Sequence, residues 1–307
     1  MRPQCLIVAL AIFLLGESGC GYEGGVKPPP SPVAAPVEPS DPALPPEPSR
    51  VERVTLHSQA LDRDMDLSVY LPRGYDESLE YPVLYMLYGY GGTHDVWFTY
   101  LDLNGAADRL IEAGRIAPLL IVSPDYGNSF GVNTKEGEGR DPGGVSIGPY
   151  EDYLASELIG YVDEHYGTQA FKEGRYIGGA SMGGYASLYL GLSYPELFGK
   201  IGAHSAALWT YSDTDQFTGQ RDWLFSDGKL RDRRDPFKLA SPENLAGVQI
   251  YIDVGESDAL AEKDRSLYEK LKKMNADVLW STGPGGHSAD YWKGQIDNYL
   301  IFYAGKP

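Results

Sequence analysis

The chain has 307 residues, 42% of them hydrophobic, and a formal net charge of −17. That length is enough for one sizeable core, and so acidic a chain argues against nucleic acid or anionic lipid as a partner. The only cysteines are Cys5 and Cys20.

Residues 1–19 carry one early cation, Arg2, then the apolar run from Cys5 to Leu15, and end in Ser18-Gly19 before Cys20. This is the layout of a signal peptide. The run falls short of the ~20 apolar residues that span a bilayer, so the expectation is an exported protein that is not integral to the membrane. Ser18-Gly19-Cys20 resembles a bacterial lipobox, which makes Cys20 a candidate lipidation site on a cell-surface or periplasm-facing lipoprotein. Glu17 departs from that pattern, and plain secretion is the alternative. With Cys5 removed, one thiol is left and an internal disulfide is excluded. Residues 20–49 read as a Pro-rich linker, with ten of the 22 prolines between positions 28 and 48. Such a segment extends as a semi-rigid spacer.

Residues 50–307 alternate short apolar runs with helical periodicity. Strand-like runs are Asp66–Leu71, Val83–Leu87, Leu119–Val122, Tyr176–Gly178, Ile201–Ala203, Val248–Ile252 and Asp277–Trp280. Most are continuously apolar, as strands covered on both faces are. Helical stripes run through Leu154, Leu158 and Val162, through Leu267, Leu271 and Met274, and through Trp292, Ile296 and Leu300. The pattern predicts an α/β domain with a mostly parallel central sheet and helices on both faces. The polar, aromatic stretch 209–243 is expected to be an insertion that caps a pocket.

The segment Gly179-Ala180-Ser181-Met182-Gly183 follows the run Tyr176-Ile177-Gly178 and opens a Gly-, Ala- and Leu-rich stretch. Strand, sharp turn and helix in that order make a nucleophile elbow, which projects the serine hydroxyl above the sheet. Gly144-Val145-Ser146-Ile147-Gly148 matches the same five-letter pattern, but glycine-rich polar residues precede it and Pro149 follows. Without a strand to feed it, Ser146 is read as a loop residue.

A serine hydroxyl needs a base beside it and a third group to orient that base. Of the five histidines, His287 follows a late strand and a flexible Gly283-Pro284-Gly285-Gly286, the expected place for the base. His57 and His165 read as surface or structural residues and His204 as a buried hydrogen-bonded one; His94 is a candidate substrate contact. For the orienting acid, Asp253, Glu256 and Asp258 lie where a strand passes into a loop. Asp258 is favoured because it lies just beyond the turn at Gly255, with Glu256 second and Asp253 structural. Oxyanion donors are expected from the backbone N–H of Met182 and of Tyr90, the latter in Tyr88-Gly89-Tyr90-Gly91-Gly92. Trp97 is a candidate substrate contact, and Tyr211, Trp223 and Trp292 are further candidates for lining a pocket. The chemistry requires no metal and no organic cofactor.

Taken together, Val69–Tyr75, Leu87–Gly92 with Trp97, Gly179–Gly184, Gly255–Asp258 and Gly285-Gly286-His287 resemble the putative esterase family, the esterase D-like branch of the α/β-hydrolases. Feruloyl and acetyl-xylan esterases, siderophore esterases and mycolyltransferases belong to it. The resemblance implies the α/β-hydrolase fold and a triad of Ser181, Asp258 and His287. Tyr88 departs from it, because many relatives have His before the oxyanion glycine. The implied function is an exported serine carboxylesterase acting on a small-molecule or polysaccharide-linked ester. Transfer of the acyl group to a sugar is the alternative; a non-catalytic binding protein is a remoter one.

Overall fold

The computed structural model describes residues 46–209 and 218–306. Cys20, the N-terminal segments and Tyr211 lie outside the described residues. One sheet of eight strands organises the rest: β1 (Arg50–Ser58), β2 (Arg63–Leu71), β3 (Val83–Leu87), β4 (Leu120–Pro124), β5 (Arg175–Ala180), β6 (Lys200–His204), β7 (Gln249–Gly255) and β8 (Asp277–Gly283). Their order is β1-β2-β4-β3-β5-β6-β7-β8. β1 and β2 pair antiparallel, β2 is antiparallel to β4, and every pairing from β4 to β8 is parallel.

Burial follows the sequence pattern. Every residue of β3, β4 and β5 is buried, as continuous apolarity requires. β1 was not anticipated. Its apolar residues Val51, Val54 and Leu56 alternate with Arg50, Glu52, Arg53 and Thr55 at the edge of the sheet, where one face stays wet.

The helices are α1 (Val96–Thr99), α2 (Leu103–Glu112), α3 (Tyr150–Asp152), α4 (Leu158–His165), α5 (Met182–Ser193), α6 (Thr218–Leu224), α7 (Gly228–Arg234), α8 (Pro236–Leu239), α9 (Ala261–Lys273) and α10 (Ala289–Ala304). The stripe Leu154-Leu158-Val162 runs from a π-helical turn at Tyr153–Glu157 into α4. Helix α5 is buried from Met182 to Leu192, so its sequence is apolar on nearly all sides instead of striped. Within the stretch 209–243, the described part is α6, α7 and α8.

The order in which successive strands are added reverses at β3: the next strand, β4, lies on one side of it and β5 on the other. In open parallel sheets such a switch point opens a crevice beyond the carboxyl ends of the strands. The loops after β3 and β5, which carry Tyr90 and Ser181, start there.

Candidate active site

Ser181 joins the end of β5 to the start of α5 with φ 56° and ψ −114°. A positive φ is costly for any residue with a Cβ. The turn is held nonetheless, because the Ser181 N–H donates to the His204 carbonyl at 2.9 Å and its own carbonyl accepts from Ala207 N–H at 2.9 Å. The flanking glycines supply space. A Cβ on Gly179 or Gly183 would lie 2.5 or 2.3 Å from the Leu87 carbonyl oxygen.

His287 sits in the loop between β8 and α10. The Ser181 hydroxyl lies 2.8 Å from its Nε2, and its Nδ1 lies 2.9 Å from Asp258 Oδ2. Asp258 Oδ1 accepts the Leu260 N–H at 2.8 Å. Burial pushes the Asp258 carboxyl up, but the His287 hydrogen bond, the Leu260 N–H and the attraction of His287 outweigh it and hold the group below the ordinary carboxylate value. The structure thus brings Ser181, His287 and Asp258 into one hydrogen-bonded chain. Glu256 is exposed, and Asp253 is buried and bonded elsewhere.

The loop after β3 lies against Ser181: a Cβ on Gly89 would be 3.4 Å from the Ser181 Cβ. In that loop Gly92 N–H donates to Gly89 O at 2.9 Å and Gly91 N–H to Asn128 Oδ1 at 2.7 Å. Among the described residues no acceptor is assigned to the N–H of Tyr90 or of Met182. Tyr88 donates its hydroxyl to Asp125, accepts the Tyr126 N–H at 2.8 Å and receives the Tyr126 hydroxyl on its carbonyl at 2.5 Å. Burial and the bond to Asp125 push the Tyr88 phenol up, so it remains a donor.

These groups open into a cavity of about 430 Å³. Ser181 and His287 are among its polar lining residues; Trp97, Phe130, Trp209 and Trp292 supply aromatic walls and Gln220 comes from α6. Trp209 and Gln220, both from the stretch 209–243, line this cavity. Trp223 packs behind Phe130, with ring centroids 6.2 Å apart, and does not line it. His94 is not a lining residue either; its Nδ1 pairs with Ser68 Oγ at 2.9 Å, which turns the ring toward β2. His57 pairs with Asp64 near the surface, and His165 donates to the Tyr161 carbonyl.

Sequence reasoning missed Asn128. Its side chain accepts from Gly91 N–H and donates to Gly144 O at 2.9 Å, while its backbone N–H reaches Ser146 Oγ at 3.0 Å. The Ser146 segment is therefore a clamp on the loop that carries Tyr90. No local pattern marks Asn128, because all its partners are remote in sequence or on the far side of a turn.

A mostly parallel sheet with a strained serine at its switch point, bonded to a histidine and through it to an aspartate, defines an α/β-hydrolase. A family profile described as "Putative esterase" matches residues 58–303. The chain belongs to that family and is a carboxylic ester hydrolase. It is 27% identical over 231 residues to an acetyl esterase of Caldicellulosiruptor saccharolyticus, which covers 70% of this chain and 80% of that protein. It is 31% identical over 157 residues to an endo-1,4-beta-xylanase/feruloyl esterase of Xylanibacter ruminicola, covering 50% of this chain and 21% of that larger protein. Among solved structures, a ferulic acid esterase of Anaeromyces mucronatus in complex with ferulic acid superposes with a TM-score of 0.64 at 22% identity, covering 83% of this chain and 90% of that one.

Proposed function

We propose that the chain is an exported serine carboxylesterase that hydrolyses acetyl or aromatic acyl esters attached to polysaccharide, through an acyl-enzyme on Ser181. The observation that carries this reading is the Ser181–His287–Asp258 chain, with links of 2.8 and 2.9 Å, at the mouth of an aromatic cavity. In the first half-reaction Ser181 Oγ attacks the ester carbonyl as its proton passes to His287 Nε2. Asp258 keeps the Nδ1–H of the imidazole in place and stabilises the imidazolium without taking the proton. Charge on the tetrahedral oxygen is met by the N–H groups of Tyr90 and Met182; losing one such donor typically costs ~3 kcal/mol. His287 then protonates the leaving alcohol. Water, activated by the same imidazole, hydrolyses the acyl-enzyme in the second half-reaction.

The substrate class is supported by the cavity and by the relatives. Aromatic walls from Trp97, Phe130, Trp209 and Trp292 suit an aromatic acyl or a sugar face, and two relatives are named as acetyl and feruloyl esterases. Export rests on residues 1–19, with Cys20 as the proposed lipid anchor and residues 20–49 as the spacer that lifts the domain from the surface.

The test is hydrolysis of p-nitrophenyl acetate and methyl ferulate by the purified chain and by Ser181→Ala. Activity on either ester that disappears in Ser181→Ala is the expected result. An active Ser181→Ala variant would remove the nucleophile assignment, and a wild-type chain inert to both esters would remove the substrate class.

A further inference from the structure

Beneath the site lies a second His–Asp pair that the proposed mechanism does not use. Asp253, near the end of β7, and His204, at the end of β6, are both fully buried. Asp253 Oδ1 is 2.5 Å from His204 Nδ1, and Oδ2 accepts the hydroxyls of Tyr291 and Tyr299, both at 3.0 Å. The Asp253 carbonyl accepts the Ser205 N–H at 2.7 Å. His204 Nε2 faces the Tyr303 hydroxyl at 3.3 Å. That hydroxyl fits between β5 and β6 only because Gly178 and Gly202 stand there; a Cβ on either would lie 1.8 Å from it.

Such a network is an expensive way to fill a core. Burying a charge costs several kcal/mol even when it is well partnered, and apolar residues of similar volume are often as stable or more so. Stability alone does not explain it, but its attachments do. The His204 carbonyl receives the Ser181 N–H at 2.9 Å. On the other side, the Tyr291 ring packs against Gly285, where a Cβ would lie 3.0 Å from Cδ2. Gly285 O accepts the N–H of Ser257, the residue before Asp258, at 2.8 Å. The Tyr291 N–H is capped by Ser288 Oγ, next to His287, at 3.3 Å.

We infer that Asp253 is a positioning residue for the reaction: through His204 it holds the turn that bears Ser181, and through Tyr291 it holds the loop that bears His287, so that one buried carboxylate sets the separation of nucleophile and base. The inference rests on the reading of Ser181 and His287 as that pair. Displacements of about 1 Å in such a pair can cost up to about a hundredfold in rate. The effect of loosening it therefore falls on kcat, while the cavity walls that bind the ester stay in place.

The experiment compares Tyr291→Phe and Asp253→Asn with Tyr189→Phe in the full chain on p-nitrophenyl acetate. Tyr189 donates a buried phenol to Glu151 Oε2 at 2.6 Å and lines no part of the cavity, so its loss reports the cost of a broken phenol–carboxylate bond as such. All three variants should lower the melting temperature. Tyr291→Phe and Asp253→Asn should also lower kcat about tenfold or more with KM within about threefold, and Tyr189→Phe should change kcat less than about twofold. A kcat for Tyr291→Phe no lower than that of Tyr189→Phe, or a loss confined to KM, overturns the inference. If Asp253→Asn does not fold, Tyr291→Phe decides alone. Ser181→Ala runs alongside: if it retains activity, the inference falls together with the parent reading, whereas an inactive Ser181→Ala with a fully active Tyr291→Phe rejects the inference and leaves the parent reading standing.

Discussion

Two segments of this chain share the pattern Gly-x-Ser-x-Gly, and their backbones distribute strain in opposite ways. At Ser181 the serine has a positive φ of 56° while Gly179 and Gly183 have ordinary values. There the glycines are needed for space, because the carbonyl oxygen of Leu87, at the end of β3, presses on both. At Ser146 the serine has no positive φ, and Gly144 and Gly148 carry φ of 77° and 150°. There the glycines serve as hinges of a loop, and the serine hydroxyl is used up as an acceptor for Asn128 N–H. The same five letters give a projecting, strained hydroxyl in one place and a relaxed, bonded one in the other. What separates them is the flank: β5 runs directly into the first turn and α5 directly out of it, whereas no strand feeds the second, which passes through Pro149 into the short α3.

The largest expected difference is in turnover. Ser181→Ala should lower kcat by about 10⁴-fold or more, measured as initial rates on an ester the wild-type chain hydrolyses. The paired glycine variants sharpen the contrast in stability. Ser181→Gly removes the Cβ from a left-handed conformation and should raise the unfolding free energy by roughly 0.5–1 kcal/mol relative to Ser181→Ala. Ser146→Gly relieves no strain and should lower it relative to Ser146→Ala. Denaturant melts that ranked the two glycine variants in the same direction would show that the strain at Ser181 is not what distinguishes the turns.

Next in size is the clamp. Asn128→Ala frees the Gly91 N–H and the Gly144 carbonyl together, so the loop bearing Tyr90 loses the Asn128 bridge to the 143–148 segment and keeps the bond from the Tyr90 hydroxyl to Gly143 O at 3.1 Å. A drop in kcat of about tenfold with little change in KM is expected, in line with a misplaced oxyanion donor. Ser146→Ala deletes only the acceptor for Asn128 N–H. It should cost about 1 kcal/mol of stability and leave kcat within about threefold. A Ser146→Ala variant as slow as Asn128→Ala would give the second segment a larger part in catalysis than its contacts support.

How much of this was legible beforehand depended on whether a residue's role is set by its neighbours in sequence. The apolar runs Val83–Leu87 and Leu119–Val122 marked β3 and β4 to within a residue or two, because strands buried on both faces leave no other reading. Ser181, His287 and Asp258 were legible because each lies within four residues of the end of a strand, with a glycine one to three positions away. β1 was not, since Arg50, Glu52 and Arg53 interrupt its apolar positions on an exposed edge. Asn128 and the His204–Asp253 pair were also out of reach as site elements: their partners come from β6, β7, α10 and the loops after β3 and β4, and only the folded sheet brings those together. Proximity in sequence to Tyr90 made His94 a candidate substrate contact, but it does not say which way a ring turns, and Ser68 on β2 takes the ring away from the cavity.

The smallest effect expected concerns the floor beneath the Ser181 turn and how it responds to pH. Asp264 of α9 is fully buried; its Oδ1 accepts the Ala206 N–H at 3.2 Å, next to the Ala207 N–H that holds the Ser181 carbonyl, and its Oδ2 is without a partner among the described residues. Burial, then the nearby charges of Asp258 and Asp253, push its carboxyl well above the ordinary value of 3.8. The folded chain thus keeps a proton there that the unfolded chain gives up, so this group lowers stability progressively as pH rises from about 4 toward its folded value. Asp258, held below its ordinary value, acts in the opposite sense: its contribution is present above that value and is lost as pH falls through the folded one. Asp264→Asn keeps an acceptor for Ala206 N–H and removes the titration. Its melting temperature should gain on that of the wild-type chain as pH rises from about 4 upward, while the loss of Asp258's contribution at low pH stays the same in both. Parallel melting curves for the two proteins across that range would mean that Asp264 is ionised in the fold, and that the floor under Ser181 carries a third charge beside those of Asp253 and Asp258.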